Sequence, residues 1–254
     1  MNPKVSIVTS TYNRADIIGR AIQSVLSQTF TDWEMCIVGD CTPDHTEEVV
    51  RGFNDERMRF YNLREKSPPG AHGALAKNYA IQQMARGEFI AYLDDDDAYH
   101  PNYLRDMLAF IYSIPGCESA YCRGRFVDKE TGERVWGNPF QGWLMRYSKE
   151  KLHRYNYINT NWVMHRRSLL ERVGYWNPNT FFDDYDLWLR ISKVTDFHYL
   201  NKVLVDNYIE NEEPFSRRAW VKGWQMLKQG GKRMPLPYDG DYEDGVRRRG
   251  INEK

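Results

Sequence analysis

Short apolar runs and amphipathic stretches take turns through the first hundred residues. Residues 5–10 are a compact, largely β-branched run that reads as a strand. Beyond it, Ile17, Ile18, Ala21, Ile22, Val25 and Leu26 recur on a 3.6-residue period and predict a helix with one buried stripe. Residues 33–38 read as a second strand. Thr42-Pro43 offers an N-cap followed by proline in the first helical position, so a helix is expected from there to Gly52. Residues 58–63 read as a third strand, and residues 74–85 as a helix stopped by Gly87. Residues 89–93 are a fourth strand that runs into four consecutive aspartates. Strands alternating with helices at this spacing predict right-handed βαβ units and an α/β fold with a mostly parallel sheet.

After Pro101 the rhythm changes. A helix is expected over 102–112, ended by Pro115-Gly116, and the next sixty residues are rich in aromatics. Residues 121–127 and 133–136 read as a hairpin turning at 129–132, and short helices are expected over 167–173 and 183–193. The pattern divides the chain into a nucleotide-binding-like half (1–100), an aromatic half (101–210) and an appended tail (211–254). Between Pro214 and Arg233 that tail carries six basic residues, no acid, and Trp220 and Trp224 four apart. It reads either as a helix packed on the domain or as a peripheral contact with anionic lipid or polysaccharide.

Composition narrows the function classes. Lys and Arg total 35, Asp and Glu 35, so the formal charge is zero, which argues against a dedicated nucleic-acid binder. No uncharged run exceeds 11 residues, well short of a membrane-spanning helix. Asn2-Pro3-Lys4 leads directly into the first strand, with no signal-peptide pattern. Cys36, Cys41, Cys117 and Cys122 are too few and too poorly spaced for a disulfide framework or a zinc site. A cytoplasmic setting is expected, with the inner membrane face as the place where the tail would make contact.

In an open parallel sheet, ligands bind outside the carboxyl ends of the strands. Polar residues cluster there: Ser10-Thr11-Tyr12-Asn13-Arg14 after the first strand, Asp40 after the second, and Asp94-Asp95-Asp96-Asp97 after the fourth. No Gly-rich phosphate loop follows the first strand, which weakens ATPase and NAD readings. Four adjacent carboxylates repel one another unless a cation answers them. The run is therefore a solvated acidic loop or a site for a hard divalent cation such as Mg²⁺ or Mn²⁺, completed by a diphosphate. A second cluster, Asp183-Asp184-Tyr185-Asp186, opens a helix, where it serves as dipole capping or supplies a general base.

Together these segments resemble inverting family 2 glycosyltransferases with the GT-A fold. The resemblance is carried by residues 5–14, by Ser27-Gln28-Thr29-Phe30, by Asp40, and by Ala76-Lys77-Asn78 with the stretch 87–97. Val163-Met164-His165-Arg166-Arg167 and the segment 183–190 continue it. Among members the chain is most similar to spore-coat polysaccharide glycosyltransferases, at residues 27–31, 57–61 and 163–166. The resemblance implies a Rossmann-like nucleotide-binding half fused to an acceptor-binding half. Ser10 and Tyr12 would line the base and ribose of a nucleotide-sugar donor, and Asp40 would accept the N3–H of uracil or thymine. Arg14 and Lys77 would serve the nucleotide as well, Lys77 standing where the family often has Arg. Asp94 and Asp95 would lie near ribose and metal, and Asp96 would ligate Mn²⁺ or Mg²⁺, with the register of the run open by one residue. Asp184 would be the catalytic base. Two positions depart from the pattern: Asp183 replaces a commoner Glu, and Glu210-Asn211 stands where many relatives carry a His.

The activity so implied is transfer of a sugar from a UDP- or dTDP-sugar to a hydroxyl acceptor, a glycan or glycolipid. A nucleotidyltransferase and a catalytically silent sugar-nucleotide binder are the competing readings. His72, in the loop Pro68-Pro69-Gly70-Ala71-His72-Gly73, reads as exposed loop or substrate contact, and His165 as a partly buried His or an acceptor contact. Asp183 is a third possible substrate contact. Trp143, Trp162, Trp176 and Trp188 form a sugar-stacking wall or, for at least half of them, core.

Overall fold

Strands β1 (Val5–Thr11) and β2 (Trp33–Gly39) bury almost every side chain, as strands covered on both faces must. They belong to a computed structural model that describes residues 2–134, 146–180 and 182–209. Between them, α1 (Gly19–Leu26) turns Ala21, Ile22 and Val25 inward, the stripe that the 3.6-residue period predicts. α2 (Thr46–Gly52) precedes β3 (Met58–Asn62), and β2 pairs in parallel with both β1 and β3. The expected start of α2 at Pro43 is moved by Asp44. Its carboxylate accepts from Thr42 Oγ1 (2.7 Å), Thr46 Oγ1 (2.6 Å) and the N–H groups of Thr46 (3.3 Å) and Ala15 (2.9 Å), so the chain turns at 42–45 before it coils.

The next helix starts as expected but changes pitch. α3 covers Ala74–Tyr79 and passes into one π-helical turn, Ala80–Met84, where Ala85 N–H donates to Ala80 O (2.8 Å). It leads into β4 (Phe89–Tyr92), parallel to β1. Gly87 makes that approach possible: a Cβ there would lie 2.5 Å from the Ser6 nitrogen.

After β4 the sheet becomes mixed. β5 (Ala98–Tyr99), α4 (Tyr103–Ser113), β6 (Ser119–Asp128) and α5 (Lys149–Leu152) follow along the chain. A 3₁₀ turn, Thr160–Trp162, then delivers the chain into β7 (Val163–Arg166), and α6 (Ser168–Val173), α7 (Asp183–Ile191) and β8 (Phe197–Ile209) complete the described part. The strand order is β3-β2-β1-β4-β7-β6-β8-β5, with β7 antiparallel to β4 and β6, and β8 parallel to β6. One continuous sheet thus joins the two halves.

Of the expected hairpin at 121–136, the described residues contain the turn and its first bridge. β6 takes β7 and β8 as partners, and a single bridge from Val127 to Arg134 marks the turn, tightened by Asp128 accepting the N–H groups of Glu130 (3.0 Å) and Thr131 (2.8 Å). Residues 135 and 136 lie outside the described residues, as do Trp143, Glu210-Asn211 and the tail 211–254. The remaining tryptophans settle the question of a sugar-stacking wall: Trp162, Trp176 and Trp188 are all buried. Trp176 meets Tyr92 edge-on at 5.0 Å between centroids, and Trp188 meets Trp176 (5.9 Å) and Phe197 (5.7 Å) the same way. No helix among the described residues is long and apolar enough to cross a membrane. The four cysteines are free, three of them buried.

Candidate active site

The carboxyl ends of β1, β2 and β4 open on one crevice. A cleft of about 550 Å³ is lined there by Ser10, Tyr12, Arg14, Asp40 and Asp95, and by Lys66, Ser67, His72 and Gly73 of the loop after β3. Gly73 closes that loop on β1 with φ near 77°, and a Cβ on it would strike Ser10 Oγ at 2.7 Å.

Tyr12 is exposed, and its ring lies under the Lys66 ammonium at 3.0 Å. Lys66 also reaches Asp40 Oδ2 (3.0 Å), while Asp40 Oδ1 accepts both the N–H (2.9 Å) and the hydroxyl (2.6 Å) of Ser67. Burial alone would raise the Asp40 carboxyl, but the Ser67 and Lys66 hydrogen bonds outweigh it and hold the group below its ordinary value. Asp40 is thus an ionised acceptor whose Oδ1 is committed to Ser67 and whose Oδ2 holds Lys66. His72 adopts a left-handed φ of 43° at the cleft wall.

The aspartate run divides into four different environments. Asp94 receives Asn161: its N–H donates to Asn161 Oδ1 (2.7 Å), and Asn161 Nδ2 donates back to its Oδ2 (3.1 Å). Asp95 is buried, and Arg14 Nε approaches it at 3.8 Å. Asp96 keeps its side chain 40% exposed, with Arg14 Nη2 at 3.9 Å. Asp97 turns inward, taking the side-chain amides of Asn161 and Asn207 and the Tyr208 N–H (2.8 Å). It fastens β8 to the end of β4. Burial, then the charges of Asp94 and Asp96, push the Asp97 carboxyl well above the usual range. Burial with the charges of Asp96 and Asp94 lifts Asp95 to about 6, against the Thr11 and Arg14 contacts that lower it.

That raised value bears on a divalent cation. Like charges crowd the mouth of the crevice, where Arg14 answers Asp95 and Asp96 only at 3.8 and 3.9 Å and Lys77 acts on Asp94. No group of three or more His, Cys, Asp or Glu among the described residues has the geometry of a self-sufficient metal site. A half-exposed carboxylate with partly neutralised neighbours fits an ion that takes most of its oxygens from a diphosphate and water, as Mg²⁺ and Mn²⁺ do.

Across the crevice, α7 opens with Asp183 and Asp184. Asp183 is buried and paired with Lys77 Nζ (3.0 Å), which also lies 4.1 Å from the Trp176 ring centroid and 3.4 Å from His72 O. Lys77 is therefore turned from the expected nucleotide contact to the carboxylate beside the expected base, and it does not line the cleft. Asp183 likewise is a buried ion-pair partner rather than a surface contact. Asp184 points elsewhere, as neighbours about 100° apart on a helix must. Burial first, then the charge of Asp183, raise its carboxyl to about 6, while Asn156, the Tyr185 N–H and Lys77 pull it down. His165 has no exposed surface. Its Nε2 meets the Tyr92 hydroxyl (2.9 Å), Nδ1 meets Arg166 O (2.8 Å), and burial lowers it to about 4. A neutral core histidine held at both nitrogens contacts no acceptor, so that alternative falls.

Residues 6–173 match the family described as Glycosyl transferase family 2. The chain belongs to that family. A glycosyltransferase of Rickettsia typhi is 28% identical over 220 residues, covering 84% of this chain and 66% of its own length. The chondroitin synthase of Escherichia coli is 30% identical over 219 residues, covering 83% of this chain and 29% of its own. This chain thus spans between about a third and two thirds of these relatives. Among solved structures, S. aureus TarS in complex with UDP-GlcNAc superposes with a TM-score of 0.65 at 21% identity, over 84% of this chain and 60% of that one. The mannosyltransferase PcManGT of Pyrobaculum calidifontis, in complex with GDP-Man and Mn²⁺, gives 0.68 at 19%, over 92% and 67%. The family's GT-A fold is the one observed here.

Several residues of the crevice escape motif and periodicity. Lys66 and Ser67 lie in a loop with no repeat, and Asn156, Thr160 and Asn161 precede a strand in a segment free of charge. The available signal for the last three is chemical: polar side chains that need partners, placed directly before the buried strand that ends in His165 and Arg166.

Proposed function

We propose that this chain is a metal-dependent inverting glycosyltransferase that moves a sugar from a UDP- or dTDP-sugar to a hydroxyl of a glycan or glycolipid, in polysaccharide or glycoconjugate synthesis. The observation that carries it is Asp184: a carboxyl pushed to about 6, at the mouth of a helix across the crevice from the aspartate run. A base poised there is ionised at neutral pH yet takes a proton readily. The relatives named for chondroitin synthesis and glycosyl transfer, and a neighbour holding GDP-Man with Mn²⁺, support metal-assisted sugar transfer from a nucleotide; the neighbour holding UDP-GlcNAc supports the uridine donor.

The proposed roles are those the family resemblance implies, adjusted to this geometry. Tyr12, once Lys66 swings from its face, offers the ring on which a nucleobase stacks. With Oδ1 committed to Ser67, Asp40 would offer Oδ2, once Lys66 has left it, to one N–H, the single imide donor of uracil or thymine. Ser10 would line base and ribose and Arg14 would serve the nucleotide, with Asp94 and Asp95 near ribose and metal. Asp96 would hold Mg²⁺ or Mn²⁺ with Asp95 beside it, and the ion, when bound, stabilises charge on the departing diphosphate. Asp184 takes the acceptor hydroxyl's proton as that oxygen attacks the anomeric carbon from the face opposite the diphosphate. Lys77 keeps Asp183 from presenting a second bare charge beside that base.

The test is nucleotide release from a panel of UDP- and dTDP-sugars with Mn²⁺, alongside calorimetric binding of UDP and dTDP. Turnover of at least one donor is expected. No turnover together with no nucleotide binding contradicts the reading; binding without turnover returns it to a silent binder.

A further inference from the structure

The Asp184 carboxylate is gripped from a segment outside its own helix. Asn156 Nδ2 donates to both of its oxygens, at 3.1 and 3.3 Å, and Thr160 Oγ1 lies 3.5 Å from Oδ2. Tyr185 N–H adds a bond to Oδ1 at 2.6 Å. The segment that carries Asn156 and Thr160 is itself bolted to both sides of the crevice. Trp188 Nε1 donates to Ile158 O (3.1 Å) and the Tyr185 hydroxyl to Leu152 O (2.7 Å), which ties it to α7. Asn159 Oδ1 accepts the Asn161 N–H (2.9 Å) and caps the 3₁₀ turn, and Asn161, wholly buried, grips Asp94 and Asp97.

We propose that Asn156, assisted by Thr160, is a positioning residue that fixes the direction in which Asp184 presents its carboxylate, on a mount that Asn161 registers to the aspartate run. This rests on the reading of Asp184 as the base. A base must meet the hydroxyl within about 2.6–3.2 Å, and a carboxylate free to turn about its last bond meets it only part of the time. A side-chain amide that spans both oxygens stops that rotation, and Oδ2, whose other neighbour Thr160 Oγ1 stands at 3.5 Å, is the oxygen held more loosely and the one a hydroxyl would reach.

The same bonds act on proton affinity. Among the described residues the charges that act on Asp184 are Asp183 on its own helix and Lys77 from α3; Asp94 at the end of β4 acts on Asp183, and Asp186 is paired with Arg190. Residues 155–161 contribute none. With Lys77 already on Asp183, the Asn156 amide is the main uncharged brake on a carboxyl that burial drives upward. Asn156 is exposed, so its replacement leaves the core intact.

The experiment follows UDP release with Mn²⁺ from the fastest donor of UDP-glucose, UDP-galactose, UDP-N-acetylglucosamine and UDP-glucuronic acid, between pH 5 and 8.5, in wild type, Asn156→Ala, Asn156→Asp and Thr160→Val. In parallel, the carboxyl of Asp184 is titrated by ¹³C NMR and assigned with Asp184→Asn, which does not depend on turnover. For Asn156→Ala we expect kcat to fall about tenfold. The acid limb and the NMR titration should rise together by about one pH unit, with UDP binding unchanged. Asn156→Asp should raise both further, and Thr160→Val should move them least. Wild-type kcat, limb and titration in Asn156→Ala would overturn the proposal. So would a loss of turnover with an unmoved titration, which is what a merely structural role gives. Full turnover in Asp184→Asn would instead remove the base assignment on which the proposal stands, so the two failures are told apart.

Discussion

The two sides of the crevice are built by different grammars. On the proposed donor side, β1, β2 and β4 run in parallel, so each strand's carboxyl end delivers its next residues to one place. Tyr12 and Asp40 arrive there directly after β1 and β2, and Asp95 three residues after the end of β4. On the proposed acceptor side β7 runs antiparallel to both β4 and β6, so strand direction does not gather residues in the same way. Asp184 comes from a helix start, and Asn156 and Thr160 from the approach to β7. A parallel sheet concentrates chemistry by direction; the mixed part must hold its chemistry in place with hydrogen bonds.

The comparison breaks most visibly at the contact between the sides, the buried pair Lys77–Asp183. Lys77→Met leaves a buried carboxylate alone beside Asp184, and urea unfolding should show a loss of about 3–5 kcal/mol. Adding Asp183→Leu should recover most of it, since an apolar pair of similar volume is often nearly neutral. Equal loss in single and double variants would mean that packing, not charge, holds the sides together.

Within the donor side, Asp96→Ala should remove most of the Mn²⁺-dependent increment in UDP or dTDP affinity and leave the metal-free affinity near wild type. Calorimetry with and without Mn²⁺ reads this directly, and an unchanged increment would move the metal to another aspartate. A smaller effect concerns the base. Asp40 has one oxygen committed to Ser67, so the two adjacent donors of guanine cannot both be met. GDP should bind about tenfold or more weakly than UDP, the size of one lost hydrogen bond to a charged group. GDP binding tighter than both UDP and dTDP would contradict the assignment.

The smallest effect is on stability against pH. The folded-state values of Asp95 and Asp184, about 6, lie above the ordinary carboxylate value of 3.8, so the folded protein binds more protons between the two. Stability contributed by these groups is present at low pH and lost as pH rises through about 6. Differential scanning should show the midpoint falling between pH 5 and 7.5, and UDP with Mn²⁺ should raise it more at pH 7.5 than at pH 5.5.

What the chain betrays of itself follows the same divide. The parallel half is legible because its strands are continuous apolar runs and its helices keep a 3.6-residue stripe, so α1 and β1 to β4 stand close to where the pattern places them. Asp44 shifts the start of α2 by gripping the turn before it, which no periodicity reports. β8 is harder to read: Asn201 and Lys202 interrupt its apolar residues, and its pairing with β6 is broken by register shifts near Arg123. The aspartates of the crevice are conspicuous as a run, yet their sorting is not. Asp97 resembles its neighbours in sequence and becomes a structural fastener only because Asn161, Asn207 and Tyr208 come from residues 64 to 111 positions away. Lys77 shows the same limit: its helix position is foreseeable, but its partner 106 residues on is not.

The account holds that the two sides divide the work, with donor binding on one and proton removal on the other. Asp184→Asn tests this most directly when UDP binding and UDP release from a turned-over donor are measured on the same preparation with Mn²⁺. We predict a fall in turnover of about 10²-fold or more with UDP affinity near wild type, and loss of the acid limb near pH 6 from what activity remains. Turnover near wild type, or a parallel loss of UDP binding, would contradict the account.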